Sequence, residues 1–176
     1  MLKALTRVSN KQSGFTLIEL MVIISIIGLL SAVIFLSLNE ARVKAKNGKR
    51  LAEKSHVATA FSLYRLANNG SVPDSGGTWH CLAPSSESCW LGTYNGLDSL
   101  VTALNPYLPT LPNNDAYTGE YAHNRIIYNS SITIGGRTGA FIVWPQEGVM
   151  APEFCQSSFP VQVLDRYSYC YEFLGT

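Results

Sequence analysis

Residues 20–38 constrain this chain more than any other stretch. Across these nineteen positions only Ser25, Gly28, Ser31 and Ser37 interrupt a run of Leu, Ile, Val, Met, Ala and Phe. Between Gly14 and Asn39 the one ionisable side chain is Glu19. A helix rises about 1.5 Å per residue, so about 20 such residues cross the roughly 30 Å of hydrocarbon in a bilayer. A fully buried core helix would need protein on all sides, and the rest of the chain is too small to supply it. A secretory signal peptide would end its shorter apolar stretch at a small-x-small cleavage site. Here the run passes directly into Asn39-Glu40-Ala41-Arg42-Val43-Lys44, polar and helix-forming, with no such site. A membrane-spanning helix over 15–38 is the expectation.

Average composition hides this. The chain has 176 residues, 47% of them hydrophobic, and a net charge of +1, values typical of one soluble domain. That charge is a difference between opposed parts: residues 1–54 hold nine Lys/Arg against three Asp/Glu, and residues 55–176 hold four against nine. The balance is not basic enough overall to imply a nucleic-acid partner, and the apolar content excludes disorder. Lys3, Arg7 and Lys11 before the span favour a cytoplasmic N-terminus, whereas the six basic residues from Arg42 to Lys54 pull the other way. The cysteines help to decide. Cys81, Cys89, Cys155 and Cys170 all follow the span, and none has Cys-x-x-Cys spacing. Disulfides in an oxidising compartment suit them better than a zinc or redox site, with His80 lacking a companion cluster. Three pairings are possible. Cys81–Cys89 and Cys155–Cys170 each close a short loop and are the favoured choice.

From Phe15 to about Ala67 there is no proline, and Leu, Ala, Lys, Arg and Glu dominate. Beyond the span the apolar pattern becomes one-sided, with Val57, Ala60, Phe61 and Tyr64 at i, i+3, i+4 and i+7. One helix is therefore expected to be apolar all round over 15–38 and amphipathic over 39–67, ending at Asn68-Asn69-Gly70 with Pro73 beyond. Residues 70–118 are loop-like, with a short helix near 97–104 and stops at Pro106, Pro109 and Pro112. Strands are expected at 125–128, 132–134 and 140–144, with Gly135-Gly136 as a turn, and at 161–164 and 169–173. The fold class is α+β: a long N-terminal helix, its amphipathic half packed on a small antiparallel sheet within a head spanning 68–176.

At the start of the span the sequence reads Gly14-Phe15-Thr16-Leu17-Ile18-Glu19. A lone carboxylate there is costly unless it finds a partner. Cleavage between Gly14 and Phe15 would create one, an α-amine of the same or a neighbouring subunit. This motif, its basic leader and the apolar run resemble the class III signal of type IV pilins and type II secretion pseudopilins. The resemblance implies a pilin fold, a leader 1–14 removed by prepilin peptidase after Gly14, methylation of Phe15, and an assembly role for Glu19. Ala60 to Tyr64, then Asn69-Gly70 and Pro73, are similar to the family's helix end, and Cys155–Cys170 matches its frequent C-terminal disulfide. Two features depart from the family: Leu36 stands where many members have a helix-unwinding proline, and no aspartate-rich calcium loop is evident, Asn113-Asn114-Asp115, Glu120 and Asp165 being too few.

The resemblance implies a structural subunit of a type IV pilus or pilus-like filament, or alternatively a secretion pseudopilin or a minor pilin binding DNA or a surface ligand. Partners would be copies of itself or related pilins, prepilin peptidase, an inner-membrane assembly platform, and lipid before assembly. The chain would sit in the cytoplasmic membrane with its head outside the cytoplasm, then in a cell-surface or periplasmic filament. Phe15, Leu17, Leu20, Ile24, Ile27 and Leu30 would pack the filament core. The basic residues 42–54 are expected to pair with acidic heads of neighbouring subunits. DNA binding is not expected, because the head offers few basic residues. No catalytic constellation accompanies His80 or His123, so no enzyme activity, cofactor or metal is expected.

Overall fold

The computed structural model describes residues 14–90, 92–112, 125–148, 155, 162–164 and 167–176. The elements are helix α1 (Leu17–Ala67), β1 (His80–Cys81), β2 (Ser88–Cys89), β3 (Tyr94–Asn95), α2 (Asp98–Leu104), β4 (Ile127–Ile134), β5 (Arg137–Glu147), β6 (Gln162–Leu164) and β7 (Tyr167–Gly175). By internal contacts the chain divides into Met1–Arg42 and Val43–Thr176. The architecture is α+β: a long N-terminal helix and a five-stranded antiparallel sheet of order β1-β4-β5-β7-β6, with a separate two-stranded β2–β3 hairpin.

Helix α1 covers 51 residues and passes through Leu36, the position where the family's proline is missing. It stops where Asn69 and Gly70 take left-handed φ of 54° and 86°, a conformation glycine and asparagine tolerate best. The Gly70 N–H donates to the Arg65 carbonyl at 2.8 Å, closing the last turn. The Arg65 guanidinium then donates to the carbonyls of Gly70 and Leu174, tying the helix end to the end of β7.

The apolar stripe of α1 lies on one face of the sheet. Val57, Ala60 and Phe61 are buried with Leu100, Leu104, Tyr128, Ile142 and Trp144. Phe61 stacks on Tyr128 with centroids 4.7 Å apart, and the Tyr128 hydroxyl donates to the Pro73 carbonyl. Alternate residues turn to the opposite face, where Ile127, Val143 and Tyr169 pack with Cys81, Ala83 and Cys89. The structure joins Cys81 to Cys89 and Cys155 to Cys170.

Two strands differ from their sequence outline. Residues 125–134 form one strand, Ile127–Ile134, because a bulge between Asn129 and Ile132 absorbs the polar break at Ser130-Ser131. Glycines 135 and 136, at φ of 57° and 79°, make the tight turn into β5. β5 does not stop at Trp144 but continues through Pro145 to Glu147. A proline is tolerated there because β4 pairs no further than Ile127–Val143, leaving that side of β5 an edge.

Side chains of α1 occupy that edge. Arg50 donates to the Pro145 carbonyl at 2.9 Å. The Asn47 amide donates to the Glu147 carbonyl at 2.9 Å and accepts from the Glu147 N–H at 3.0 Å. Residues 143, 145 and 147 share one side of the strand, so Arg50 and Asn47 continue the rungs that β4 begins. One turn further, Lys54 meets Glu172 at 2.5 Å and lies 5.0 Å from the centre of the Trp144 ring. Asn47, Arg50 and Lys54 are all buried. Arg50 and Lys54 belong to the basic run expected to pair between subunits; within the chain, with Asn47, they form the polar continuation of the Val57/Phe61 stripe, spaced i, i+3 and i+7.

Candidate functional site

The N-terminal motif begins outside the helix. Gly14 to Thr16 are non-helical and α1 starts at Leu17, so Thr16 is the N-cap residue. The Thr16 N–H and hydroxyl both donate to Glu19 Oε2, at 2.9 and 2.8 Å, and the Glu19 N–H donates to Thr16 Oγ1 at 3.3 Å. This reciprocal arrangement is a capping box, and it follows from Thr and Glu three residues apart at a helix start. It gives the carboxylate local donors. The Gly14–Phe15 bond lies in the non-helical segment just before the helix, with Phe15 82% exposed. Residues 1–13, including Lys3, Arg7 and Lys11, lie outside the described residues.

Beyond the cap α1 turns apolar side chains outward in every direction. Among the residues whose side chains are described, fifteen large apolar ones from Phe15 to Leu38 are exposed. Ser25 hides its polarity by donating to the Val22 carbonyl at 2.8 Å, a bond open to a hydroxyl in an apolar helix. Fully burying one such large side chain is worth about 1.5–3 kcal/mol, so leaving fifteen in water would cost about 20–45 kcal/mol. That exceeds the usual 5–15 kcal/mol stability of a domain. Lipid or other protein must cover this helix.

The basic residues 42–54, expected to meet neighbouring subunits, are largely engaged within the chain. Lys46 lies 3.7 Å from Glu147, Lys49 3.8 Å from Glu53, and Lys54 2.5 Å from Glu172, while Arg50 holds Pro145. The physical reason is the sheet, which brings Glu147 and Glu172, remote in sequence, against the helix. The periodicity at 47, 50 and 54 was the available signal, concealed because its residues are polar.

In the head, the possible calcium ligands Asn113, Asn114, Asp115, Glu120 and Asp165 lie outside the described residues. Among the described residues no group of three or more His, Cys, Asp or Glu is placed to hold a metal. His80 sits between Thr78 Oγ1 at 2.8 Å and the Asn95 carbonyl at 3.3 Å. His123 lies outside the described residues. Of the three tryptophans, Trp144 is core, whereas Trp79 and Trp90 border a surface pocket.

A long N-terminal helix, capped by Thr16 and Glu19 and packed through its C-terminal part on a disulfide-bearing antiparallel sheet, defines a pilin-like fold. Residues 9–35 match the family described as "Prokaryotic N-terminal methylation motif". The chain is 32% identical over 106 residues to type II secretion system core protein G of Escherichia coli (strain K12), a match covering 60% of this chain and 57% of that protein. It is 37% identical over 60 residues to the protein of the same name from Aeromonas hydrophila, covering 34% of this chain and 42% of that one. The corresponding figures for the Pectobacterium carotovorum subsp. carotovorum protein are 36% over 59 residues, 34% and 38%. The chain thus matches at most about half the length of these relatives. No solved structure matches it significantly. In motif, fold and relatives the chain is similar to the type IV pilins and type II secretion pseudopilins.

Proposed function

We propose that this chain is a structural subunit of a pilus-like filament, held in the cytoplasmic membrane by its apolar helix until it assembles. The carrying observation is the set of fifteen outward apolar side chains from Phe15 to Leu38, which need lipid first and neighbouring helices afterwards. Prepilin peptidase cuts between Gly14 and Phe15 and the new N-terminus is methylated, a reading supported by the methylation-motif match over 9–35. After cleavage the amine of Phe15 lies beside the capping box. Glu19 then exchanges its Thr16 contacts for an amine of a neighbouring subunit, which sets axial register. The names of the relatives favour a secretion pseudopilus over a motility or adhesion pilus. The assembly platform and related pilins are partners on this reading, and the role is structural, with no enzymatic step.

Filament yield on expression with the assembly machinery tests it. Glu19→Ala should leave the processed protein in the membrane at normal abundance while filaments fall to background. Filaments at the unaltered yield would overturn the role of Glu19, and failure of the unaltered chain to enter any filament would overturn the proposal.

A further inference from the structure

On the sheet face opposite α1, Trp79, Trp90, Tyr94, Tyr169 and Tyr171 surround a cavity of about 390 Å³ floored by Ile127 and Val143. We propose that this pocket binds a neutral saccharide. Its volume falls within the usual range for small-molecule sites. Among the described residues no Asp, Glu, Lys or Arg lines it, so a charged ligand would lose hydration without gaining a counter-charge from them. A pyranose offers what the lining lacks: an apolar C–H face to lie on an aromatic ring, and hydroxyls to exchange hydrogen bonds with phenols. Tyr94 and Tyr171 are half-buried and supply those phenols. Burial, with Tyr94 nearby, pushes the Tyr171 phenol above its ordinary value, so it stays a neutral donor at physiological pH.

The pocket is built in advance. Trp90 and Tyr94 lie on the β2–β3 hairpin, anchored to β1 by the Cys81–Cys89 disulfide. Trp90 Nε1 donates to the Arg125 carbonyl at 2.9 Å. Its ring stands edge-on to Tyr94 at 5.6 Å and tilted against Tyr169 at 5.1 Å. The Trp90 backbone has φ of 52°, a left-handed conformation that a bulky residue rarely adopts. Such strain persists only where the surroundings enforce it, and it concentrates at ligand clamps. Here it brings an indole to the outer face of the sheet, half-buried against the cluster of Cys81, Cys89, Ile127, Val143 and Tyr169. The site uses none of the residues of the N-terminal motif, so its test is separate from that of filament assembly.

The test is tryptophan-fluorescence titration of the full chain in an amine-oxide detergent, which carries no sugar headgroup. The probes are cellotetraose, chitotetraose and maltotetraose, with tetramethylammonium chloride as the cationic comparison. At least one oligosaccharide should change the emission saturably. Tyr171→Ala should weaken that response about tenfold. Tyr171→Phe, which keeps the ring and the fold, should weaken it about two- to tenfold through the lost hydroxyl. The proposal is overturned if no oligosaccharide gives a saturable change up to about 10 mM. A response to tetramethylammonium alone, or an oligosaccharide response that Tyr171→Phe leaves unchanged, would also overturn it.

Discussion

Lys54 and Glu172 form the ion pair on which the internal reading of the basic cluster most depends. The Lys54 side chain is 11% exposed and that of Glu172 28%, with 2.5 Å between Nζ and Oε2. Removing one member of a fully buried pair costs about 3–5 kcal/mol, because the other charge is left without a partner. Partial exposure of Glu172 lets water compensate some of this, so Glu172→Gln should cost about 2–3 kcal/mol. Lys54→Met leaves the stranded charge on the more exposed partner and keeps an apolar stem against Trp144, so it should cost about 1–2 kcal/mol. The double variant strands no charge and should lie within about 1 kcal/mol of the unaltered protein, closer to it than Glu172→Gln alone. For a unit the size of Val43–Thr176, the Glu172→Gln loss corresponds to about 6–10 °C in Tm. Thermal unfolding of the monomeric full chain in detergent, followed by tryptophan emission, gives all four corners of the cycle. A coupling below about 0.5 kcal/mol in the monomer would refute the reasoning, and would return Lys54 to a contact between subunits.

Arg50→Ala strips a charged donor from the Pro145 carbonyl at the open edge of β5 and should lower stability by about 2 kcal/mol in the same unfolding assay. Replacing Cys81 and Cys89 together by Ser releases a loop of sequence separation 8 and should cost about 2.5 kcal/mol, read as a Tm loss that reduction of the unaltered chain exceeds because it also opens Cys155–Cys170. Gly96→Ala would place Cβ 2.0 Å from the Pro84 carbonyl oxygen and 2.3 Å from that of Ala83, both backbone, and should destabilise by about 1–3 kcal/mol. Asp98 accepts from the Ser85 hydroxyl and N–H, which hold its carboxyl below the ordinary value. Its contribution is therefore complete above the unfolded-state value near 4 and is lost as pH falls through the lower folded-state value. The stability advantage over Asp98→Asn should accordingly shrink on acidification in pH-dependent melts.

The sequence was most legible where one residue type repeats on one period. Residues 20–38 are apolar at nearly every step, and Val57, Ala60, Phe61 and Tyr64 mark a helix face directly, because hydrophobicity is the signal being read. Thr16 and Glu19 were visible as a motif, while their mutual capping emerged from the helix boundary at Leu17. The contacts that Asn47, Arg50 and Lys54 make within the chain were not legible, because a buried polar residue looks like a solvated one until its partner is known. Those partners, Pro145, Glu147 and Glu172, are about a hundred residues away. The same holds for Pro145, which ends a strand in any local reading and is accommodated here by a donor from the helix. The aromatic pocket was invisible for a related reason. Trp79, the Trp90/Tyr94 hairpin and Tyr171 come from three separate segments, and only sheet pairing gathers them.

The central claim is that this chain is processed after Gly14 and then built into a filament through its apolar helix. Mass spectrometry of the chain recovered from an isolated filament fraction of a host with prepilin peptidase tests it most directly. The expected species is a chain beginning at Phe15, carrying one N-terminal methyl group, with Cys81–Cys89 and Cys155–Cys170 oxidised. A filament subunit that retained residues 1–14 or began elsewhere would contradict it, as would a chain processed at Phe15 yet absent from filaments.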